Sequence, residues 1–166
     1  DTRGPALIQL ERIGRGGRVI RMYKFRSMIP GAHTMKSRFA QYNERNDGPL
    51  FKMRNDPRVT RVGRLLRKTS LDELPQLWNV LKGDMSLVGP RPHEPEEVER
   101  YRSDYRSLIS IRPGITGLAQ VSGRSNLSFT DEARLDLYYI ENWSLFLDIR
   151  ILLKTLYVVI TLRDVA

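Results

Sequence analysis

The reading of this chain turns on RKTSLDELPQLWNVLKGDMSLVGPRP, residues 67–92. Asp72 and Glu73 stand side by side just after Ser70. Ser70 and Glu73 have the S-x-x-E spacing of a capping box, which predicts a helix start. Leu71, Leu74, Leu77, Val80 and Leu81 then recur at roughly helical spacing, which predicts an apolar side pinned to a core. With Ser70 as cap, Pro75 falls one turn in, where it deletes a hydrogen bond; it either kinks the helix or moves its start a few residues on. In both cases the two carboxylates lie at the N-terminal edge. Unpaired N–H groups and the helix dipole there favour ionised acids and also bind phosphate.

Neighbouring helical residues diverge by about 100°, so Asp72 and Glu73 do not read as a facing pair sharing one proton. They suit a division of labour, one attacking and one holding a metal ion. Arg67 precedes them, and Arg91 follows in Gly89-Pro90-Arg91-Pro92. Two carboxylates between two guanidinium groups fit phosphoryl transfer, where Mg²⁺ and Arg neutralise developing charge. Plain helix capping is the non-functional alternative, because such boxes are common.

The 166 residues suffice for one domain with a real core. A net charge of +9 implies an anionic partner: nucleic acid, acidic lipid or a phosphorylated substrate. There are no cysteines, which excludes disulfides and thiolate metal sites. His33 and His93 are too few for a histidine-rich metal centre. The chain starts at Asp1, with no initiator Met and no signal peptide, and is expected to continue upstream.

Outward from the central stretch, residues 6–13 and 18–28 flank Gly14-Arg15-Gly16-Gly17 and predict a β-hairpin. Met22, Lys24 and Arg26 share one face of its second strand, and Lys24 or Arg26 can reach an anion from there. Residues 31–48 suggest a short helix through Met35, Phe39 and Tyr42. Residues 58–68 predict a helix with Val59, Val62, Leu65 and Leu66 on one side and Arg61, Arg64 and Lys68 roughly opposite. Arg67 belongs to neither group and can point along the chain toward Asp72. Segment 52–68 holds seven basic residues against one acidic, either a solvated face or a membrane-facing patch.

Residues 83–92 read as loop, and 94–107 as a charged surface helix. Residues 112–124 (RPGITGLAQVSGR) read as a rigid loop able to present N–H groups to phosphate or a nucleotide, with Gln120 and Arg124 as its polar candidates. Thr130 is a candidate cap for a helix running to Asn142. Residues 143–163 are the most apolar stretch, but their longest uncharged run, 155–162, is far short of the ~20 residues a spanning helix needs. An interfacial helix and an ordinary core helix fit it about equally.

KFRSM (24–28), DPRVTRVGRLLRKTSLDELPQLWNVLKGDMSLVGPRP (56–92), RPGITGLAQVSGR (112–124) and YIENWSLFLDIRILLKT (139–155) together resemble the bacterial sugar transferase family. These are the monotopic polyprenyl-phosphate phosphoglycosyl transferases. The resemblance covers nearly the whole chain and is closest to the hexose-1-phosphate branch of exopolysaccharide and O-antigen synthesis. It implies transfer of a sugar-1-phosphate from a UDP-sugar to undecaprenyl phosphate, with release of UMP. It implies Asp72 as the nucleophile that carries a covalent phospho-sugar and Glu73 as the Mg²⁺ ligand. Lys24, Arg67 and Arg91 would be substrate contacts.

The resemblance further implies a location on the cytoplasmic face of the bacterial inner membrane, and it leaves room for a homodimer. Members carry a hydrophobic re-entrant helix just before the segment matching DTRGPALIQLERIG, so that helix is expected to lie outside these residues. The expected fold is α+β: a mostly helical single domain over 1–166, with an N-terminal β-hairpin and amphipathic helices on the membrane surface. A non-enzymatic basic module binding nucleic acid or acidic lipid is the rival reading. Acids repel a phosphate backbone, so the paired carboxylates argue against nucleic acid as partner.

Overall fold

Strands β1 (Leu7–Ile13) and β2 (Val19–Phe25) form the expected antiparallel hairpin, with Ile8 opposite Lys24 and Leu10 opposite Met22. Alternation puts Ile20 and Met22 inside, against Met85, Val80 and Ile115, and carries Lys24 to the same side. The computed structural model describes residues 1–161 apart from 46, 54, 102 and 124–126. Arg124 therefore lies outside the described residues.

Helix α1 (Arg61–Lys68) starts three residues later than its periodicity suggests, because Thr60 caps it by accepting from the Gly63 N–H. A β-carbon at Gly63 would run into the Ser27 carbonyl, so only glycine lets α1 lie this close to the chain after β2. On the side that carries its apolar residues, Val59 and Leu66 are half-buried while Val62 and Leu65 are exposed.

The chain then turns through Ser70, which takes the left-handed conformation (φ 56°) that a residue after a helix end adopts. Its side chain caps nothing, so the expected capping box does not form. A 3-10 turn, Leu71–Glu73, leads through Pro75 into α2 (Gln76–Leu81). Pro75 precedes the first helical residue, where its missing N–H costs nothing.

This segment is inverted. Asp72, Gln76 and Asn79 are buried, while Leu71, Leu74, Leu77, Trp78 and Leu81 are exposed, Leu81 at 79%. The apolar periodicity is helical as expected, but its leucines face outward, and of the expected set only Val80 packs on the core.

Residues expected as loops contain a short parallel pair, β3 (Ser86–Val88) beside β4 (Gly114–Thr116), joined by α3 (Pro95–Glu99) and a 3-10 segment at Ser103–Ile109. The expected helix over 94–107 is thus broken in two. The short helix expected near Met35 is a 3-10 segment, Ser37–Tyr42. Gly89 and Gly114 meet backbone to backbone, with no room for a side chain at either.

Helix α4 (Leu118–Ser122) follows β4, and α5 (Phe129–Glu141) is capped by Ser128 rather than Thr130. Helix α6 (Leu145–Thr161) buries Ile151 and Val158 and hydrogen-bonds Thr155 to Thr116 at 2.7 Å. Its other side, with Phe146, Ile149, Leu153, Leu156 and Ile160, is exposed. No helix among the described residues is long and apolar enough to cross a membrane. Among the described residues the rest of the core forms two clusters: Leu50, Tyr101, Leu108, Phe129 and Ala133, and Val88, Val121, Tyr139 and Ile151.

Candidate active site

Lys24 leaves β2 toward the 3-10 turn and places its Nζ 2.8 Å from Glu73 Oε1 and 3.4 Å from Asp72 Oδ2. Residues separated by nearly fifty positions thus meet in one ion-paired group. Asp72 is 5% exposed and Glu73 half-buried, so the amine and both acids are partly shielded from water. Partial shielding strengthens their attraction relative to a fully solvated pair.

Arg67 closes one side. Its Nε donates to Ser27 Oγ at 2.9 Å, at the end of the β2 segment. Burial pulls the Arg67 pKa below its ordinary value; the Asp72, Asp56 and Glu73 carboxylates pull it back up only in part. Behind it lies a pair that the sequence did not single out. Arg58 donates to both oxygens of Asp56, the shortest contact being 2.6 Å, and stacks over Phe39 and Phe51. Burial alone would raise the Asp56 pKa; the Arg58 hydrogen bonds and charge hold it below the usual range.

Arg91 approaches from the Gly89-Pro90-Arg91-Pro92 turn. The residue is exposed, yet desolvation by surrounding protein is the largest single influence on its guanidinium. Glu132, Glu97, Glu73 and Glu94 outweigh the desolvation and raise its pKa. The influence of Glu73 places Arg91 within electrostatic reach of the carboxylate pair.

The turn itself is held from below. The buried Asp136 on α5 accepts from the Arg91 N–H at 3.4 Å and from the backbone of Ala119 on α4. Burial, with Glu132 beside it, pushes the Asp136 carboxyl up to about 7. Within the helix reading of 130–142, nothing distinguished Asp136 from a solvated acid.

Gln120 is half-buried on α4, and its Nε2 donates to the Ile115 carbonyl at 3.4 Å. Its Oε1 has no partner among the described residues and lies near Gly117, which packs on the Gly89 carbonyl. It therefore flanks the Arg91 turn, with no contact to Lys24, Asp72 or Glu73 among the described residues.

Among the described residues no three His, Asp or Glu side chains cluster as a metal cage. Two adjacent carboxylates beside cationic groups instead match how Mg²⁺ is held, by one or two acids together with substrate phosphates. Lys24 Nζ already occupies a cation position on Glu73.

The sequence model of the family described as "Bacterial sugar transferase" matches residues 1–162. The chain belongs to that family. It is 51% identical over 158 residues to the "Galactosyl transferase CpsE" of Streptococcus agalactiae, covering 95% of this chain and 35% of that protein. Against the "Undecaprenyl-phosphate galactose phosphotransferase" of Salmonella typhimurium it is 48% identical, over 95% and 34% of the two chains. A "UDP-glucose:undecaprenyl-phosphate glucose-1-phosphate transferase" of Klebsiella pneumoniae shares 42% identity, over 94% and 33%. The chain thus spans about a third of the length of these sugar transferases.

Proposed function

We propose that this chain is the catalytic part of an enzyme that moves a hexose-1-phosphate from a UDP-sugar to undecaprenyl phosphate. The reading rests on one observation above others: Lys24 Nζ bridges Asp72 and Glu73, carboxylates whose charge also acts on the guanidinium groups of Arg67 and, from Glu73, of Arg91. The names of the relatives supply the substrate class. In this reading an Asp72 oxygen attacks the β-phosphorus of the UDP-sugar. The bond from that phosphorus to the bridging oxygen breaks, and UMP leaves with the oxygen. The sugar phosphate remains on Asp72 as an acyl phosphate. A phosphate oxygen of the lipid then attacks the same phosphorus, breaks its bond to Asp72, and restores the carboxylate. Splitting the exchange lets a water-soluble donor and a lipid acceptor use the site in turn.

Lys24, Arg67 and Arg91 orient the diphosphate and offset its repulsion by the two acids. Glu73 would hold Mg²⁺, with Asp72 adjacent. When bound, the ion neutralises charge on the phosphate oxygens. Ser27 accepts from Arg67 and keeps it in place. The product would begin assembly of an exopolysaccharide or O-antigen repeat at the cytoplasmic face of the inner membrane, with the outward leucines of α1, α2 and α6 resting on lipid.

The test is UMP release from UDP-galactose and UDP-glucose, with undecaprenyl phosphate and Mg²⁺. Asp72→Ala and Asp72→Asn should each lower it on the order of 10³-fold or more. Unaltered release would remove Asp72 from the chemistry. Chelation by EDTA should abolish turnover, and Mg²⁺ should restore it.

A further inference from the structure

Asn79 is 0% exposed, at the centre of the inverted helix α2. A fully buried amide has to find partners, because an unpaired one forfeits its hydration. Asn79 finds them on a strand edge. Its Oδ1 accepts from the Tyr23 N–H at 3.0 Å and its Nδ2 donates to the Arg21 carbonyl at 2.7 Å. Strand β2 pairs with β1 along its other edge, so these two groups face away from the hairpin. A residue of a parallel strand would bond the same pair, the carbonyl of one residue and the N–H two further on. The side-chain amide of Asn79 stands in for the N–H and C=O of one residue of a third strand.

The placement of this substitute matters. Tyr23 is the residue before Lys24. Asn79 lies one helical segment after Asp72 and Glu73, and backbone hydrogen bonds from Leu74 to Leu71, Leu77 to Leu74 and Trp78 to Pro75 make the 3-10 turn and α2 nearly continuous. Asn79 therefore bolts the element that carries the acids to the strand that carries the amine. Its backbone carbonyl also accepts from Asp84 and Met85, which fixes the far end of α2.

We propose that Asn79 is a positioning residue: it sets the register of α2 against β2, and through it the placement of Lys24 Nζ on Asp72 and Glu73. The inference rests on the phosphotransfer reading for its kinetic consequence, though not for its geometry. Asn79→Leu keeps the volume and orphans both backbone groups. A misplacement of about 1 Å costs up to about a hundredfold, so kcat for UMP release should fall by about tenfold or more while KM for the UDP-sugar changes less than about threefold. In a Lys24→Met background the same change should cost less than about twofold further, because the group it positions is gone. Equal losses in the two backgrounds, or a loss that merely tracks the folded fraction in a melting curve, would overturn the proposal.

Asn79→Asp supplies a second arm should the leucine variant fail to fold. An ionised carboxylate cannot donate to the Arg21 carbonyl, whereas a neutral carboxyl can. Its activity relative to the parent chain should therefore recover as the pH falls from about 8 to about 5; a flat ratio counts against the proposal. A third readout needs no turnover. After ¹³C-dimethylation of lysines, the Lys24 signal, identified by its loss in Lys24→Arg, should move to the position of solvated lysines in Asn79→Leu. If the parent chain turns over no UDP-sugar, the phosphotransfer reading fails, and an unmoved Lys24 signal would then sink the Asn79 assignment separately.

Discussion

Two helical stretches of this molecule obey opposite rules. In α5 the apolar residues Phe129, Ala133 and Tyr139 turn inward beside the buried acids Glu132 and Asp136, and Phe129 packs edge-to-face on Tyr105 at 5.3 Å beside Leu50 and Leu108. In 71–81 the leucines turn outward and Asp72, Gln76 and Asn79 turn inward. The hydrophobic effect acts on both. What differs is what the outer side touches: α5 stands between core and water, while 71–81 presents leucines that water alone would not favour. In the reading proposed above, this exposed apolar patch rests on a lipid surface. Freed from packing, the inner side of 71–81 can carry the polar groups that chemistry requires.

This contrast is exposed to test. The largest effect should come from α5: Phe129→Ala should cost about 3–5 kcal/mol in urea unfolding, because it opens a cavity in a closed core. A cost under about 1 kcal/mol would mean that this cluster is not the core.

Next comes the buried acid beneath the Arg91 turn. A carboxyl raised from its ordinary 3.8 to about 7 is neutral in the folded chain while ionised in the unfolded one. The unfolded state then binds fewer protons, so stability falls as pH rises between those two values and levels off above the higher one. Asp136→Asn removes this dependence. Its stability advantage over the parent should grow from near zero at about pH 4 to on the order of 2 kcal/mol at about pH 8, measured by denaturant titration at each pH. A constant difference across that range would contradict a raised Asp136.

The outward leucines should behave in the reverse way. Replacing Leu74, Leu77 and Leu81 together with Ser should change unfolding stability in water by less than about 1 kcal/mol, yet weaken binding to phosphatidylglycerol vesicles by about tenfold or more in co-sedimentation. Loss of the fold would show that these side chains are packed after all. The smallest effect belongs to the surface pair Lys82–Asp84, at 3.0 Å and partly exposed. Lys82→Ala should cost no more than about 0.5 kcal/mol.

The hairpin was legible because alternation and a glycine-rich turn are local signals; they put Lys24 on the same face as Met22 before any contact was known, without saying that this face is the inner one. The helical spacing of the leucines in 71–81 was legible too, but not its direction. Periodicity reports that a helix has two sides; it does not say which solvent each one meets. Ser70 matched a capping box by spacing alone. Its actual conformation follows from the end of α1, which needs a left-handed residue to turn the chain.

The β3–β4 pair was hidden for another reason. Three-residue strands carry too little alternation to register, and their pairing depends on glycines meeting across a crossover of some twenty-five residues. Asn79 and Asp136 were invisible because a buried polar residue resembles an exposed one until its partners are known.

The inverted helix has a geometric corollary. An α-helix is about 10–12 Å across with its side chains. If the leucines of 71–81 lie on lipid, the Asp72 carboxylate, on the opposite side, stands roughly one helix-width above it. An acceptor with a long isoprenoid tail would then keep that tail dissolved in the bilayer and raise only its phosphate to react. The thickness of a single helix would act as a ruler, matching the height of the chemistry to the reach of the lipid.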